Sequence, residues 1–340
     1  MRIDRFDYDL PEPAIAQEPL DRRDASRLLV DAPAGIEHGH VSDLPRLVGP
    51  GDVVVVNDTR VRPARLHLRK ETGGAVEVLL LEPLGDQWVA LVRPSRRVAP
   101  GTVLRPHESP SPLQVVAGDE RGDGTRLVRL EVDGSLDDAL ARHGEMPLPP
   151  YIGRRLADPE RYQTVFAREP GSAAAPTAGL HFTPALLDRC REAGAVVATV
   201  ELKVGLDTFR PVTVDDLDDH RMHTETYRVP GQTWQACLAA DRVLAVGTTT
   251  VRALESAARG ARTGRTDLFI RPGFEFRVVD RLLTNFHLPR STLLVMIEAF
   301  MGPRWRDLYA LALAEGYRFL SFGDAMLVDR APVESLPSEG

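Results

Sequence analysis

The sequence predicts an α/β fold, with a mixed α/β main domain and an inserted small antiparallel β-barrel domain. Residues 51–57 form a β-branched run bounded by turn residues, which is typical of a fully buried strand. Helical and strand patterns alternate after residue 183, as they do in α/β domains. Between residues 62 and 132 short β-prone pieces are separated by Gly, Pro and Asp, and this spacing predicts a small barrel or sandwich.

The elements of the first half follow from these signals. The barrel strands are expected at residues 64–68, 75–81, 88–92, 102–104, 113–117 and 126–132. Ser135 then caps a short helix that Gly144 ends, and the proline-rich residues 146–150 form a stiff connector. We therefore place the barrel domain at residues 61–146 and the α/β catalytic domain at residues 1–60 and 147–331.

The second half reads as alternating helices and strands. Thr183 is an N-cap followed by Pro184 at the first helical position, and Gly194 ends that helix. Further strands are expected at residues 195–204, 242–246 and 319–328. Further helices are expected at residues 247–255, from residue 291 onward, and at residues 305–316. Residues 332–340 are expected to be a disordered tail.

The composition indicates a soluble globular protein, since 43% of the 340 residues are hydrophobic and 27% are charged. No apolar run is long enough to span a bilayer, which argues against a transmembrane protein. Cys190 and Cys237 are far apart and form no CxxC pattern, so neither a disulfide framework nor a zinc site is predicted. We therefore expect a cytoplasmic protein with no membrane partner.

The charge of the chain is unevenly distributed. The formal net charge is −7, yet residues 60–106 carry nine Arg or Lys residues against four Asp or Glu residues. A basic module on an acidic body suits a polyanion that is bound at one face. From charge alone, a solvated barrel rim explains the same excess, and both interpretations stay open at this point.

Three stretches carry residues suited to chemistry. Residues 174–182, AAPTAGLHF, place an irregular backbone beside an imidazole, because proline and glycine both break a helix. Residues 247–252, GTTTVR, place a glycine turn and three hydroxyls where a strand meets a helix. Free N–H groups at such a helix start can bind a carboxylate or phosphate. The alternative interpretation is an ordinary capped helix. Residues 283–289, LTNFHLP, put an amide and an imidazole before a helix, and a structural histidine is the alternative.

The common nucleotide and metal signatures are absent from the sequence. No G-x-G-x-x-G follows the first strand, and the chain contains neither a P-loop nor an H-E-x-x-H motif. His220 and His223 form an i, i+3 pair, but no third ligand is in view, so a loop or surface pair is favoured. No metal site is therefore predicted.

Ten stretches that run from the first turn to the last strand resemble those of a known family. They are FDYDLP at 6–11, DASRL at 24–28, NDTRVRPAR at 57–65, MPLPPYI at 146–152, YQTV at 162–165, AAPTAGLHF at 174–182, MHTE at 222–225, AVGTT at 245–249, TNFHLP at 284–289 and SFGDAM at 321–326. Several are long and rich in rare residues. Together they resemble the S-adenosylmethionine:tRNA ribosyltransferase-isomerase family of queuosine biosynthesis.

The resemblance implies a transferase that moves and isomerises the ribosyl moiety of S-adenosylmethionine onto 7-aminomethyl-7-deazaguanine at the wobble position of tRNA. The products would be epoxyqueuosine-tRNA, adenine and methionine. S-adenosylmethionine would be a cosubstrate, no metal would be needed, and the partner would be a tRNA with a GUN anticodon. The resemblance further implies an α/β body that carries an inserted β-barrel, and we expect a monomer or a weak homo-oligomer.

Candidate residues follow from this chemistry. The sulfonium acidifies the adjacent 5′ C–H, so a base that removes that proton would start the reaction, and a donor near adenine would help it leave. The candidate catalytic residues are His181, Lys203 and His287. The candidate substrate-binding residues are Thr177, Ala178, Gly179, Phe182, Gly247, Thr248, Thr249, Arg252 and Asn285. The candidate tRNA-binding residues are Arg60, Arg62, Arg65, Arg96 and Arg97.

One stretch departs from the family pattern. Where relatives commonly read LHVGxGTF, residues 202–209 read LKVGLDTF, so Lys203 replaces a histidine and Asp207 replaces a glycine. Lys70 and Lys203 are the only lysines in the chain, and a position that needs only positive charge would be expected to hold arginine here. Lys203 is therefore either a substrate-contacting amine with Asp207 as its ionic partner, or a replacement in a tolerant loop.

Two alternatives to the tRNA-modifying transferase stay open because of this departure. The first is a divergent family member that acts on a free or differently attached 7-deazapurine. The second is a tRNA-binding protein without catalysis. Release of adenine from S-adenosylmethionine, assayed with tRNA and with the free base, distinguishes all three.

Overall fold

The computed structural model describes residues 1–32, 35–107, 111–122, 124–205, 212, 214–222 and 224–332. The chain divides into two compact units. The first, called here the α/β unit, comprises Met1–Arg60, Pro149–Glu169 and the chain from Ala175 onward. The second, called the barrel unit, comprises Val61–Leu148 and Pro170–Ala174. The barrel unit is therefore an insertion into the sequence of the α/β unit.

The regular elements of the described chain are numbered in chain order. The strands are β1 Arg27–Ala32, β2 Gly35–His40, β3 Asp52–Asn57, β4 Thr59–Val61, β5 Arg65–Lys70, β6 Ala75–Leu84, β7 Gln87–Arg93, β8 Val103–Pro106, β9 Leu113–Glu120, β10 Arg126–Val132, β11 Gly144–Glu145, β12 Glu169–Ser172, β13 Val196–Leu202, β14 Glu225–Arg228, β15 Arg242–Val246, β16 Thr263–Thr266, β17 Arg281–Asn285 and β18 Ala325–Asp329. The α-helices are α1 Leu136–His143, α2 Pro184–Glu192, α3 Gly231–Ala239, α4 Thr248–Ala257, α5 Thr292–Met301 and α6 Trp305–Ala314.

The α/β unit is built on a large mixed sheet. Its strands follow the order β16-β14-β13-β3-β15-β17-β18-β1-β2. The four central strands β13, β3, β15 and β17 run parallel to one another, whereas β18 runs antiparallel to β17. Parallel strands end at the same edge of a sheet. The carboxyl ends of β3, β15 and β17 therefore lie side by side, and this edge positions the candidate site.

Strand β3 shows why the central strands are buried. Its sequence is DVVVVN, and all six residues are buried, as expected for a strand covered on both faces. Val56 belongs to the core that Leu186 of α2 completes. Because side chains alternate along a strand, Asn57 points to the opposite face, where its amide donates to the hydroxyl of Thr249 in α4 at 3.2 Å.

The barrel unit is a closed antiparallel barrel. Strands β5, β6, β7, β10, β9 and β8 pair in this order, and a further pairing of β5 with β8 closes the ring. Alternate residues of these strands, such as Leu66, Val78 and Val115, are buried and fill the interior. The predicted fold class, a mixed α/β main domain with an inserted small antiparallel β-barrel, is confirmed.

Several elements differ from the sequence prediction. Nine of the numbered elements of the described chain have no counterpart among the predicted ones: strands β1, β2, β4, β11, β12, β14, β16 and β17 and helix α3. The strand predicted at residues 319–328 is shorter in the structure, because β18 begins only at Ala325. Before it the chain turns: Leu320 has a φ of 69° and its carbonyl accepts the N–H of Gly323 at 2.9 Å. This turn is buried, so its apolar residues read like a strand.

An ion pair at the amino end of β3 contributes to the stability of the sheet. Asp52 accepts two hydrogen bonds from Arg242 at 2.8 Å and one from the Gly49 N–H at 2.8 Å. Burial raises the pKa of Asp52, but these hydrogen bonds outweigh burial and hold the pKa below its usual value. Asp52→Asn is expected to lower the free energy of unfolding by about 1 kcal/mol, because Arg242 is 40% exposed and solvent screens the pair.

The sign of the pH dependence follows from the lowered pKa. The folded state favours the ionised carboxyl, so its contribution is complete above the unfolded pKa of about 3.9 and is lost as the pH falls through the folded pKa. Denaturant unfolding at pH 7 and at pH 3 checks this expectation. The difference in the free energy of unfolding between wild type and Asp52→Asn should be smaller at pH 3 than at pH 7. An equal difference at both pH values would contradict the expectation.

Candidate active site

The candidate site lies where β3, β15 and β17 end. Val55 of β3 pairs with Ala245 of β15, and Val246 pairs with Leu283 of β17, so the three strands end at nearly the same level. After β3 the chain next enters the sheet at β13, and α2 directly precedes that strand, whereas β15 leads directly into α4. Helices α2 and α4 cover opposite faces of the sheet. A crevice outside the strand ends at such a switch point is where open α/β sheets bind ligands.

A buried hydrogen-bond chain crosses this edge. The Thr177 hydroxyl donates to Oδ1 of Asn285 at 3.0 Å, and Nδ2 of Asn285 donates to Nε2 of His181 at 3.0 Å. The other ring nitrogen of His181 donates to the Ser26 hydroxyl at 3.0 Å. Nδ2 of Asn285 also donates to the Asp324 carbonyl at 3.3 Å. The network ties the 3-10 helix Thr177–His181 to the end of β17.

His181 is held as a neutral imidazole within this network. Burial lowers its pKa to about 3, and the positive charges of Arg318 and Arg23 act in the same direction. Nε2 accepts from an amide, so the single ring proton lies on Nδ1. Both ring nitrogens are therefore occupied by protein partners, Ser26 and Asn285.

His287 differs from His181 in one respect. Its backbone is fixed on both sides, because its N–H donates to the Tyr309 hydroxyl at 2.9 Å and its carbonyl accepts from the Tyr8 hydroxyl. Nε2 lies 3.0 Å from the Thr284 hydroxyl, while Nδ1 has no hydrogen-bond partner within the described ranges. Burial lowers the pKa of His287 to about 3. His287 is therefore a neutral imidazole with one nitrogen still available.

His287 lines a narrow cleft at the same edge. The cleft is lined by Tyr151, Thr177, Asn285, Phe286, His287, Leu288, Ser291, Leu293, Leu320 and Ser321. The Tyr151 hydroxyl and the Ser321 hydroxyl lie 2.8 Å apart within it. Leu320 adopts the left-handed backbone region, which is costly for a leucine and is found mainly where function requires it. The free space is about 30 Å³, room for little more than water, so a larger ligand would have to displace side chains.

The first turn of α4 carries open donors. Gly247 precedes the helix with a φ of 87°, a conformation that favours glycine. The hydroxyl of Thr249 accepts from Asn57, and the hydroxyl of Thr250 donates to the Val246 carbonyl at 2.7 Å. The Thr248 hydroxyl and the N–H groups of Thr248 and Thr249 have no partner in the described chain. This turn can therefore hold an anionic oxygen.

Arg252, one turn further along α4, is engaged inside the protein. It forms a buried ion pair with Glu225, and its Nε donates to the Leu268 carbonyl at 3.2 Å. The other carboxylate oxygen of Glu225 accepts the Gly205 N–H at 2.8 Å. Burial lowers the pKa of Arg252 to about 10. The pair links α4 to the segment that follows Lys203, and Nη2 of Arg252 alone is left unpartnered.

The remaining candidates of the α/β unit have distinct surroundings. Ala178 lies against Gly247, since a Cβ atom added at Gly247 would lie 3.5 Å from the Ala178 methyl group. At Gly179 a side chain would lie 2.7 Å from the Phe166 ring, so only glycine fits there. Phe182 is fully buried and packs edge-on against Phe166, so its ring belongs to the core. These contacts fix the shape of the loop, and the predicted substrate contacts of the three residues stay predictions.

Lys203 directly follows strand β13. Its main-chain N–H donates to the Thr226 carbonyl at 2.9 Å, which extends the pairing of β13 with β14 by one residue. Its side chain is partly buried. Asp207 and His223 lie outside the described residues. The ion pair of Asp207 with Lys203 stays a hypothesis, and the arrangement of His220 and His223 as a loop or surface pair stays a prediction.

The predicted tRNA-binding arginines fall into two groups. In the α/β unit Arg60 pairs with Glu160 at 2.6 Å. In the barrel unit Arg62 and Arg65 lie near carboxylates, at 3.6 Å from Asp137 and 3.9 Å from Glu77. Arg96 and Arg97 are exposed and form no ion pair with any described residue. These last two are therefore the cations left available to a phosphate.

The described residues hold neither a membrane-spanning helix nor a metal-binding cluster. No helix in this part of the chain is long and apolar enough to cross a membrane. No three His, Cys, Asp or Glu side chains in it are grouped so that they could hold a metal ion.

Sequence reasoning missed three residues at this edge. Asp58 directly follows β3 and has a buried carboxylate oxygen without a partner. Tyr151 and Ser321 lie 170 positions apart and meet in the cleft. The signal for Asp58 was present, since a carboxylate comes immediately after a run that reads as a buried parallel strand. The Tyr151–Ser321 contact has no local signal.

Known proteins resemble this chain over nearly its whole length. A family model described as "Queuosine biosynthesis protein" matches residues 3–328. The S-adenosylmethionine:tRNA ribosyltransferase-isomerase of Rubrobacter xylanophilus is 54% identical, covering 96% of this chain and 98% of that protein. The protein of the same name from Moorella thermoacetica is 52% identical, covering 96% and 100%. A crystal structure of S-adenosylmethionine tRNA ribosyltransferase from Thermotoga maritima is 37% identical, with a TM-score of 0.53, covering 95% of this chain and 99% of that chain.

The buried state of His181 predicts a specific sensitivity to acid. Its folded pKa of about 3 lies below the unfolded value of about 6.5, so the stabilisation is present above pH 6.5 and is lost as the pH falls towards 3. At pH 5 the protonation of the unfolded imidazole alone favours unfolding by about 2 kcal/mol. When the pH is lowered from 7 to 5, the free energy of unfolding of His181→Asn should therefore fall by about 2 kcal/mol less than that of wild type.

Denaturant unfolding at the two pH values measures this difference. His107→Asn, which removes an exposed histidine, should keep the acid-induced loss of the wild type. If His181→Asn and wild type lost the same free energy on acidification, His181 would not be buried in its neutral form.

Proposed function

The chain belongs to the family of queuosine biosynthesis proteins, and from this membership we infer that it is an enzyme that transfers and isomerises the ribosyl moiety of S-adenosylmethionine. The observation that carries this conclusion is the match of residues 3–328 to the family model, with relatives at 54% and 52% identity over almost the full length of both chains. The two alternatives, a protein acting on a free 7-deazapurine and a tRNA-binding protein without catalysis, are not favoured by these relatives.

We propose the details of the reaction on the same basis. The acceptor is 7-aminomethyl-7-deazaguanine at the wobble position of a tRNA with a GUN anticodon, and epoxyqueuosine-tRNA, adenine and methionine are the products. S-adenosylmethionine is consumed as a substrate, and no metal takes part. We further propose a cytoplasmic enzyme that is a monomer or a weak homo-oligomer.

The proposed S-adenosylmethionine site is the edge formed by β3, β15 and β17. The substrate carries a carboxylate, a sulfonium and a nucleoside, so its site must offer an anion-binding group beside uncharged polar groups. The open N–H groups of Thr248 and Thr249 supply the first, because the start of a helix carries partial positive charge. Nδ1 of His287 and the hydroxyls of Tyr151 and Ser321, which line the cleft, supply the second, since they are polar and uncharged.

His287 is the proposed proton donor or acceptor near the nucleoside. Its imidazole is neutral, and its Nδ1 is open. A neutral imidazole can hydrogen-bond to a ring nitrogen of adenine without adding a positive charge beside the sulfonium. His181 holds the 3-10 helix Thr177–His181 in place through Asn285 and acts as a positioning residue.

The function is tested by assaying adenine release from S-adenosylmethionine. Three acceptors are compared: tRNA that carries 7-aminomethyl-7-deazaguanine, the same tRNA with guanine at the wobble position, and free 7-aminomethyl-7-deazaguanine. Release with the first acceptor alone is the expected result. Release with the free base instead would favour the first alternative, and binding of tRNA without release under any condition would favour the second.

The tRNA contact is tested at Arg96 and Arg97. Arg96→Glu/Arg97→Glu should raise the KM for tRNA at least about tenfold and leave the KM for S-adenosylmethionine unchanged, because only tRNA loses phosphate contacts. Each lost contact should also reduce the slope of log K against log salt concentration by about one unit. Arg129→Glu/Arg142→Glu reverses the same charge elsewhere on the exposed surface of the barrel unit and serves as the control. Equal changes in both KM values would remove Arg96 and Arg97 from the tRNA path.

The anion site is tested at Thr248. Thr248→Val should weaken the binding of S-adenosylmethionine by about 1–3 kcal/mol, because it removes a hydroxyl that the free protein leaves open for a ligand. Thr250→Val is the matched control, since the Thr250 hydroxyl already bonds the Val246 carbonyl and its loss should reduce stability without changing affinity. Calorimetry measures both variants. An unchanged Kd in a folded Thr248→Val would count against the site.

Lys203 is tested by substitutions that separate charge from shape. Arginine keeps the charge but does not deprotonate and is wider, so Lys203→Arg should lower kcat about 100-fold or more if the amine works in the site. Lys203→His should recover activity, above all together with Asp207→Gly, if the two departures from the family pattern are coupled.

Lys70→Arg is the matched control, because it makes the same replacement at the only other lysine of the chain. It should retain turnover. Full activity in both Lys203→Arg and Lys203→Ala would assign Lys203 to a tolerant loop.

A further inference from the structure

Asp58 is a buried carboxyl group that the protein leaves without a cation. It is 7% exposed, and its Oδ1 is shielded from solvent without a hydrogen-bond partner. The charges that act on it, those of Arg168 and Glu169, oppose each other, and none of the described residues forms an ion pair with it. A buried carboxyl in this state is costly and is found mainly where function requires it.

The backbone of Asp58 is fixed on both sides. Its N–H donates to the Val200 carbonyl of β13 at 3.0 Å. Its own carbonyl accepts the N–H groups of Arg168 and Glu169 at 2.8 and 3.3 Å. The main chain at Asp58 therefore has a defined position, which limits where the carboxyl can lie, as a group that reacts with a bound substrate needs.

Asp58 lies on the same side of the sheet as Asn285. Val56 and Leu283 both belong to the core under α2, and side chains alternate, so Asp58 and Asn285 project from that same face two residues further along. Strand β15 lies between them, and the register places Thr248, the first residue of α4, level with both. With strands about 4.8 Å apart, the two residues lie roughly 10 Å apart on either side of Thr248, whose N–H group is open.

The proposed reaction leaves one role unassigned at this edge. A base must take the proton from the 5′ carbon beside the sulfonium. His181 has no free nitrogen, and a neutral His287 with a pKa of about 3 is a weak base. Burial raises the pKa of Asp58, and the neighbouring Thr199 hydroxyl and the Arg168 charge, which lower it, have the smaller effect. A carboxylate with a raised pKa is the stronger base of this set.

We propose that Asp58 is the catalytic base that removes the 5′ proton of S-adenosylmethionine. The C5′–H bond breaks, its electron pair stays on C5′ next to the positively charged sulfur, and the proton moves to Oδ1 of Asp58. The sulfonium stabilises this charge, and the carboxylate becomes a neutral carboxylic acid that suits its buried position. The inference rests on the proposed function, since it requires S-adenosylmethionine to occupy this edge.

Asp58→Asn tests the proposal because it keeps the shape and removes the base. We expect kcat to fall about 10²–10⁴-fold while the Kd values for S-adenosylmethionine and tRNA stay within about threefold of wild type. Asp52→Asn is the matched control: it changes the buried aspartate at the other end of the same strand and should retain turnover. If wild type and Asp52→Asn both turn over, the proposed function holds, whatever the result for Asp58.

Chemical rescue distinguishes a base from a structural carboxyl. In Asp58→Ala, sodium formate should restore turnover at least about tenfold, whereas formamide, which has the same shape without the charge, should not. The proposal is overturned if Asp58→Asn keeps more than about a tenth of the wild-type kcat. It is also overturned if formate and formamide act alike, or if substrate affinity and thermal stability fall in proportion to kcat.

Discussion

The site depends on the side-chain amide of Asn285. This group accepts a hydrogen bond from Thr177 and donates to His181 and to the Asp324 carbonyl, all within 3.3 Å. A carboxylate could not donate these bonds, and an apolar side chain would leave the Thr177 hydroxyl, Nε2 of His181 and the Asp324 carbonyl without this partner. One amide at the end of β17 thereby fixes the 3-10 helix Thr177–His181 on the edge of the sheet, and sets the proton of His181 on Nδ1.

The motifs located the polar residues of the site without revealing their state. His181 and His287 look alike in the sequence, since each lies next to a phenylalanine in an irregular stretch. Their difference comes from partners far away in the chain: Ser26 and Asn285 occupy both nitrogens of His181, from 155 and 104 positions away. Local pattern does not encode such contacts. The structure alone therefore separates a histidine with both nitrogens engaged from one with an open nitrogen.

The fold was predictable where pattern and burial coincide. Strand β3 and the strands of the barrel carry strong local signals, whereas β17 reads RLLTN, which is too short and too polar at its ends to be recognised. The number of basic residues was predictable from the sequence, but which of them are free of ion pairs was not. Arg60 and Arg96 belong to the same basic stretch, yet Arg60 is paired with Glu160 and Arg96 is not paired with any described residue. Asp58 was missed for the converse reason, because an unpaired carboxyl becomes conspicuous only when its burial is known.

The central claim is that S-adenosylmethionine binds at the carboxyl edge of β3, β15 and β17. Amide hydrogen exchange with and without S-adenosylmethionine tests it most directly, because Thr248 and Thr249 have open N–H groups in the free protein. The account predicts new protection at the start of α4 and in the 3-10 helix Thr177–His181, with the amides of the barrel unit unchanged. Protection confined to the cleft around Asp31 and Arg304, at the amino edge of β17, would contradict it.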